Sequence, residues 1–298
     1  GQYGWERIRR LGIPLVFGML LIVPPQVYLE RLAQGDFQGW YWEYFPSKAF
    51  NGIYPEGNFS WHHLWFLPYL LVFSLILAWP FRKIKDRPGP LVKWVGNRLK
   101  TPWGWLIFIF PLYLWEAFLE PNFNVTHALV GDWFALINFG TLFFFGFLLI
   151  SSGSPFWENV TKYRRRNLFL GIGSFCILLL LWQFEDGFLR HFTEAGVKVF
   201  NLWTWIFVLF GYAATYLNRP GRVLQYCNRA VYPFYILHQT LTLIIAYFIM
   251  DLDWGFWVKA LLLSTGTFGG SLLLYQGIIL PIKWLHPFFG LKSKKPTN

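Results

Sequence analysis

The sequence predicts an all-α fold, a polytopic integral membrane helix bundle with about eight transmembrane helices in a single domain over residues 1–298. Of these residues, 55% are hydrophobic and only 14% are charged, whereas soluble domains carry about a quarter charged residues. Eight apolar runs approach the roughly 20 residues that cross a bilayer. They lie at about 11–29, 63–80, 104–119, 132–151, 167–184, 197–216, 232–250 and 256–281. Their lack of strict alternation favours helices over barrel strands.

The basic residues predict how these helices are oriented. Of the 26 Lys and Arg residues, 21 lie before the first run, after the last run or in alternate connections between runs. The positive-inside rule makes that side cytoplasmic, so both ends of this chain are expected in the cytoplasm. Because the net charge of +11 is explained by these short connections, the sequence does not favour a nucleic-acid partner.

The first helix follows a cluster of arginines in the segment "WERIRRLGIPL". Arg7 and Arg10 are three residues apart at its start. Guanidinium groups suit bidentate binding of phosphate, which favours a phosphate-binding role for this pair. The same residues also fit a simple determinant of membrane orientation that contacts anionic lipid, and the spacing does not decide between the two interpretations.

A long outer connection, residues 30–62, separates the first two runs. It mixes aromatic residues such as Trp40 and Trp42 with the acidic residues Asp36, Glu43 and Glu56. Aromatic rings of this kind form belts at the membrane interface. They could equally stack on sugar rings while the carboxylates accept hydrogen bonds from hydroxyls, and the two roles are compatible.

The second helix begins with "SWHHLWFLPYLL". His62 and His63 are adjacent, so on a helix they point about 100° apart. Neither has a partner four residues away, which makes a zinc site unfavourable. No metal site is therefore predicted. At the outer interface either histidine is solvated or takes a functional role.

The third and fourth runs are joined by a short outer connection that carries acidic residues. Glu116 lies inside the third run, and Asp132 begins the fourth. An ionisable side chain inside a membrane segment is costly and commonly functional. Glu116 is accordingly a candidate general base or sugar ligand.

The seventh helix carries the most informative polar residues, in "NRAVYPFYILHQT". It is predicted to begin near Tyr232, with Pro233 in its first turn. The residues Tyr235, His238, Gln239 and Thr242 then share one face, which should point into the bundle. His238 is either hydrogen-bonded to a neighbouring helix or placed to exchange a proton near neutral pH.

Three of these segments, "ERIRRLGIPL", "WHHLWFLPYLL" and "VYPFYILHQT", resemble the acyltransferase-3 family of membrane acyltransferases in their order and spacing. The resemblance covers nearly the whole chain and is strongest to the glucan-biosynthesis protein C branch, which modifies periplasmic glucans. It implies a multi-pass protein of the bacterial inner membrane. Members usually have two further helices before the Arg-x-x-Arg segment, the first with an essential histidine. We therefore expect this chain to lack those two helices.

The resemblance implies an O-acyltransferase that moves a succinyl or acetyl group from cytoplasmic acyl-CoA to a hydroxyl of an extracytoplasmic glucan or polysaccharide. Acyl-CoA is a co-substrate, and no bound cofactor is expected. The candidate catalytic residues are His238, Tyr235 and Glu116. The candidate substrate-binding residues are Arg7, Arg10, His62, His63, Trp65 and Asp132. The alternative function is a transporter or flippase of an acyl donor or glycan, and a membrane scaffold ranks third.

Overall fold

The structure, a computed structural model, describes residues 2–86 and 89–291. Within these ranges it is helical and contains no β-sheet, although one isolated bridge pairs Ile53 with Phe59. The main helices are α1 (Tyr3–Gln34), α2 (Tyr41–Ser47), α3 (His62–Ile76), α4 (Ala78–Asp86), α5 (Pro90–Leu99), α6 (Ile109–Leu114), α7 (Trp133–Ser151), α8 (Ser154–Lys162), α9 (Arg164–Leu181), α10 (Phe188–Leu217), α11 (Arg222–Ile249) and α12 (Phe256–Ile279). Short helical turns lie at Gly104–Phe108, Trp115–Leu119, Glu120–Asn122 and Lys283–Phe289.

Five of the helices in the described ranges are long and apolar enough to cross a membrane: α1, α7, α10, α11 and α12. A sixth is obtained if α3 and α4 are taken as one broken span. The all-α, multi-pass architecture is thus confirmed, but the count of about eight spans is not. The run at 104–119 is divided into separate helical segments, and α9 begins with three arginines that shorten its apolar part.

The described chain forms two compact units. The first contains residues 2–75 and 221–291, and the second contains residues 76–86 and 89–220. A single functional domain over residues 1–298 stays a prediction, as do the bounds of the 30–62 loop.

The core of the first unit joins α1, α3, α11 and α12. Leu11, Val27, Leu64 and Ile236 are all buried in it. A glycine on α12 allows close helix packing, because a Cβ atom at Gly266 would lie 2.9 Å from the side chain of Ile245 on α11. Small residues serve this purpose where helices meet in membranes.

The helix that carries His238 is longer than the sequence indicates. The expected start near Tyr232 was wrong, because α11 begins at Arg222 and Pro233 lies inside it. A proline removes one backbone donor from a helix, but neighbouring structure can compensate for this in membrane proteins. Pro233 is buried, and α11 continues through it.

The second unit has a separate aromatic core. Trp105 and Phe108 pack against Trp203 and Phe207 of α10. The backbone of α10 also approaches α8 closely, since a Cβ atom at Gly211 would overlap the carbonyl oxygen of Val160.

The connection between α1 and α3 in the first unit is ordered by Arg31. Its guanidinium donates to the carbonyl oxygens of Pro55 and Gly57 and to the side chain of Asn58. Trp40 and Trp42 project from this loop with 77% and 78% of their surface exposed. The loop therefore presents two large rings on a fixed backbone.

Candidate active site

Five side chains from α1, α3 and α11 meet in the first unit: Gln26, His63, Tyr235, His238 and Thr240. We call them the histidine cluster. The rings of His63 and His238 are perpendicular, with centroids 5.5 Å apart. The Tyr235 hydroxyl donates to the carbonyl oxygen of His63 at 2.8 Å. The structure thus brings together three of the predicted site residues, and His63 is 172 positions from Tyr235 in sequence.

Hydrogen bonds on both sides of the His63 ring define its tautomer. Nε2 lies 3.1 Å from the carbonyl oxygen of Ile236, which can only accept, so Nε2 carries the proton. Nδ1 then accepts from the amide nitrogen of Gln26 at 3.2 Å. His63 is therefore held as the neutral Nε2–H form with both ring nitrogens occupied, which suits an orienting role.

The series of hydrogen bonds continues from Gln26 to Thr240. The Gln26 amide nitrogen also donates to the Thr240 hydroxyl at 2.7 Å. That hydroxyl donates in turn to the carbonyl oxygen of Ile22, again at 2.7 Å. Each donor in this series of hydrogen bonds meets an acceptor, and the direction of these bonds determines the tautomer of His63.

His238 differs from His63 because one of its ring nitrogens is open. Its Nδ1 lies 2.8 Å from the carbonyl oxygen of Tyr235 and so carries the proton. Its Nε2 has no hydrogen bond to any described residue. Phe234 lies parallel to the ring, with centroids 5.7 Å apart. His238 is half-buried and presents a free lone pair, which is the arrangement that a general base requires.

His62 faces the connection between α1 and α3, away from the partners of His63. Its backbone has a φ of 36°, in the left-handed region that non-glycine residues seldom adopt. Its Nδ1 contacts the Ser60 hydroxyl at 2.8 Å, and its Nε2 lies 3.6 Å from the Glu30 carboxylate. The two adjacent histidines therefore contact different groups: His63 contacts α1 and α11, and His62 contacts Ser60 and Glu30.

Glu30 also joins the loop to the end of α1. It accepts a hydrogen bond from the Tyr54 hydroxyl at 3.1 Å. Burial, assisted by the nearby Glu30 carboxylate, raises the pKa of Tyr54 above its usual value. The phenol therefore remains a donor at neutral pH, and His62, Glu30 and Tyr54 form a polar patch beneath the aromatic loop.

Trp65 lies one helical turn along α3. Its ring packs edge-on against Tyr69, with centroids 5.7 Å apart. It is half-buried, and its role in substrate binding stays a prediction.

Arg7 and Arg10 lie near the opposite end of α1 from Glu30. The Arg7 guanidinium sits over the Tyr3 ring, 4.9 Å from its centroid, and its Nε is buried without a hydrogen-bond partner among the described residues. The backbone carbonyl oxygen of Arg10 accepts from the Tyr232 hydroxyl at 2.9 Å. At 1.5 Å per residue, Arg10 and Glu30 are about 30 Å apart along the helix, which is about the thickness of the hydrocarbon core.

Glu116 and Asp132 belong to the second unit. Lys198 Nζ lies 3.4 Å from Glu116 and 3.2 Å from Glu194, and Arg190 lies 3.5 Å from Glu194. We call these four residues the ion ladder. Asp132 is buried at the start of α7 and accepts the backbone N–H of His127 at 2.8 Å. In the described part of the chain, no three His, Cys, Asp or Glu residues are grouped to hold a metal.

Sequence reasoning missed Gln26 and Thr240. A glutamine within the apolar segment "LIVPPQVYL" is a polar side chain at membrane depth, which normally has an internal partner. Thr240 was overlooked because it lies outside the face shared by Tyr235, His238 and Thr242. Only the approach of α1 to α11 identifies the two as a pair.

The family resemblance is confirmed by comparison with known proteins. The sequence profile described as an acyltransferase domain matches residues 1–276, so the chain belongs to the acyltransferase-3 family. The fold and the profile together define a membrane acyltransferase.

Among its relatives is "Glucans biosynthesis protein C" of Escherichia coli O1:K1 / APEC, with the same protein from E. coli O45:K1 (strain S88 / ExPEC) and E. coli (strain SMS-3-5 / SECEC). Each is 22% identical over 285 residues, which covers 91% of this chain and 71% of the relative. No solved structure matches the chain.

Proposed function

We propose that this membrane acyltransferase moves an acyl group, succinyl or acetyl, from cytoplasmic acyl-CoA to a hydroxyl of an extracytoplasmic glucan. One observation carries the proposal. Within the first unit, α1 has arginines near one end and the aromatic loop at the other, and the open Nε2 of His238 belongs to a cluster that α1 contacts between them. The name of the E. coli relatives supports a glucan as the acceptor.

The donor would bind at the arginine end. Arg7 and Arg10 hold the phosphates of coenzyme A, because guanidinium groups pair with phosphate through two parallel hydrogen bonds. The Arg7 Nε, buried without a partner among the described residues, supports this assignment. The thioester then extends along the helices toward His238.

The chemistry would take place at His238. The acceptor hydroxyl oxygen attacks the thioester carbonyl carbon while its proton passes to Nε2 of His238. The tetrahedral intermediate collapses, the C–S bond breaks, and the thiolate of coenzyme A takes the proton from Nε2. General base catalysis of this kind contributes about 10²–10⁴-fold. Tyr235 positions the backbone of His63, and His63 in turn limits the movement of the His238 ring.

The acceptor would bind at the other end of α1. Trp40 and Trp42 offer exposed rings for stacking on sugars, and Glu30 and His62 offer hydrogen bonds to hydroxyls. We assign Trp65 to the same surface. The roles of Glu116 as a general base or sugar ligand and of Asp132 in substrate binding stay predictions.

The test uses the complete natural chain in sealed vesicles, with labelled acyl-CoA on the cytoplasmic side and glucan on the other. We expect label on the glucan. Arg7→Gln and Arg10→Gln should each raise the apparent KM for acyl-CoA about tenfold or more, because a hydrogen bond to a charged group contributes about 1.5–3 kcal/mol.

Arg9→Gln is the matched control, since Arg9 is exposed on the same turns of α1. An equal rise in KM in all three variants would indicate a general charge effect and remove the specific donor role. If the label crosses the membrane but does not appear on the glucan, transport replaces acyl transfer as the proposed function.

A further inference from the structure

Gln26 has an unusual position for an amide side chain. It is only 1% exposed, and its two hydrogen bonds to side chains both use the nitrogen. Its carbonyl oxygen, Oε1, is buried without a hydrogen-bond partner among the described residues. A buried acceptor left unpaired costs about 1–3 kcal/mol, so the arrangement calls for an explanation.

The explanation lies in the second state that His63 can adopt. In the neutral ring, Nδ1 accepts from the Gln26 nitrogen at 3.2 Å. If Nδ1 took up a proton, two donors would face each other at that distance. Rotating the amide by half a turn would put Oε1 opposite Nδ1 instead. Both N–H groups of the imidazolium would then have acceptors, Oε1 on one side and the Ile236 carbonyl oxygen on the other.

Thr240 fits both states. It accepts from the Gln26 nitrogen and donates to the Ile22 carbonyl oxygen in the observed arrangement. After rotation its hydroxyl hydrogen can turn from Ile22 to Oε1, because a hydroxyl is both donor and acceptor. The exchange needs no backbone movement and gives both N–H groups of the imidazolium an acceptor. In return, the amide nitrogen moves to the position where Oε1 has no partner among the described residues, and the Ile22 carbonyl oxygen loses the Thr240 hydroxyl.

We propose that Gln26 is a positioning residue that stabilises His63 in either protonation state by rotating its amide. The histidine pair can then hold one proton, on Nε2 of His238 or on Nδ1 of His63. This use of the pair in catalysis rests on the proposed acyl transfer, whereas the amide rotation does not. The titratable groups that face His63 are His62 on α3 and Tyr235 and His238 on α11, with Glu30 beside His62.

The test observes the ring nitrogens directly, in the complete chain labelled with ¹⁵N-histidine and reconstituted in lipid. Solid-state NMR distinguishes the Nε2–H form, the Nδ1–H form and the imidazolium, and His63→Gln assigns the His63 signals. We expect the wild type to show the neutral Nε2–H form at pH 7. Gln26→Glu, which keeps the shape and offers only acceptors when ionised, should convert His63 to the imidazolium at the same pH.

Gln26→Met is the second variant, since it removes both the donor and the acceptor. His63 should then keep the Nε2–H form at pH 7, because the Ile236 carbonyl oxygen still accepts from Nε2, but its imidazolium should appear only at a lower pH than in the wild type, because no acceptor then faces Nδ1. A His63 signal unchanged from wild type in Gln26→Glu, or an imidazolium that appears at the same pH in Gln26→Met as in wild type, overturns the proposal, and Gln26→Met decides alone if Gln26→Glu does not fold. A wild type without acyl transfer would refute the proposed function but leave this spectroscopic result in force.

Discussion

The two units place polar side chains in membrane-spanning helices by different means. The histidine cluster of the first unit uses neutral groups from three helices, linked by hydrogen bonds of 2.7–3.2 Å. The ion ladder of the second unit uses charges, three of them on the single helix α10. Lys198 at its centre is 42% exposed, whereas Gln26 at the centre of the cluster is almost fully buried.

This difference concerns geometry more than energy. In the ladder Lys198 is partly exposed, although Glu116 and Glu194 are only 18% and 16% exposed. Ion pairs of partly exposed side chains tolerate many arrangements and contribute little each. Buried neutral hydrogen bonds are directional, and breaking one leaves an unpaired group in a medium without water. The cluster is therefore suited to holding a reactive ring in one orientation, and the ladder to joining α10 to the segment that carries Glu116.

The largest expected effect separates the two sites by activity. His238→Ala should lower acyl transfer by about 10²–10⁴-fold, because it removes the proposed base. Lys198→Met should lower it by less than about tenfold, since the ion pairs of a partly exposed lysine contribute about 0–1 kcal/mol each. Labelled glucan formed in vesicles measures both. Equal losses of acyl transfer in the two variants would contradict this difference between the two sites and assign Glu116 a part in the chemistry. Thr265→Val, at an exposed hydroxyl bonded within its own helix, controls for substitution itself.

A smaller effect separates the two sites by stability. Thr240→Val keeps the shape of the side chain but removes the acceptor for the buried Gln26 amide, which should cost about 1–3 kcal/mol. Lys198→Met should cost about 0–1 kcal/mol. Thermal unfolding in one detergent should therefore give a larger fall in Tm for Thr240→Val. The same fall in both variants would mean that the cluster is no more tightly constrained than the ladder.

The smallest effect is the response to salt. Screening shortens the range of exposed charges from about 10 Å at 0.1 M salt to about 3 Å at 1 M. The difference in Tm between wild type and Lys198→Met should narrow over this range, while the difference for Thr240→Val should persist. A Thr240→Val difference that narrows equally would indicate that charge, and not hydrogen bonding, dominates the cluster.

The sequence predicts the architecture better than the site. Apolar runs identify α1, α7, α11 and α12 because a bilayer imposes both length and hydrophobicity on a spanning helix. The count of about eight spans is not confirmed where local chemistry intervenes, as in the fifth run, where α9 begins with arginines. The start of α11 was misplaced because Pro233 resembles a first-turn proline, and tertiary packing overrides that preference.

Within the site, periodicity correctly grouped Tyr235 with His238, since both lie on one helix face. It could not pair His63 with either of them, because their contact depends on how α3 meets α11. Nor could it reveal which ring nitrogen of each histidine is free, which depends on a carbonyl from residue 236 and an amide from residue 26. Spacing along one helix predicts which residues share a face, but the tautomer of each histidine depends on hydrogen-bond partners that lie elsewhere in the sequence.

The long separation between these partners also has a consequence during biosynthesis. His63 and Ile236 are 173 positions apart, and Arg10 and Tyr232 are 222 apart. At 5–20 residues per second, a ribosome needs roughly 9–35 s to proceed from His63 to Ile236. Throughout that interval the nascent chain has no His238. The proposed acyl transfer, which depends on that residue, can therefore begin only when the last quarter of the chain has returned to the first helix.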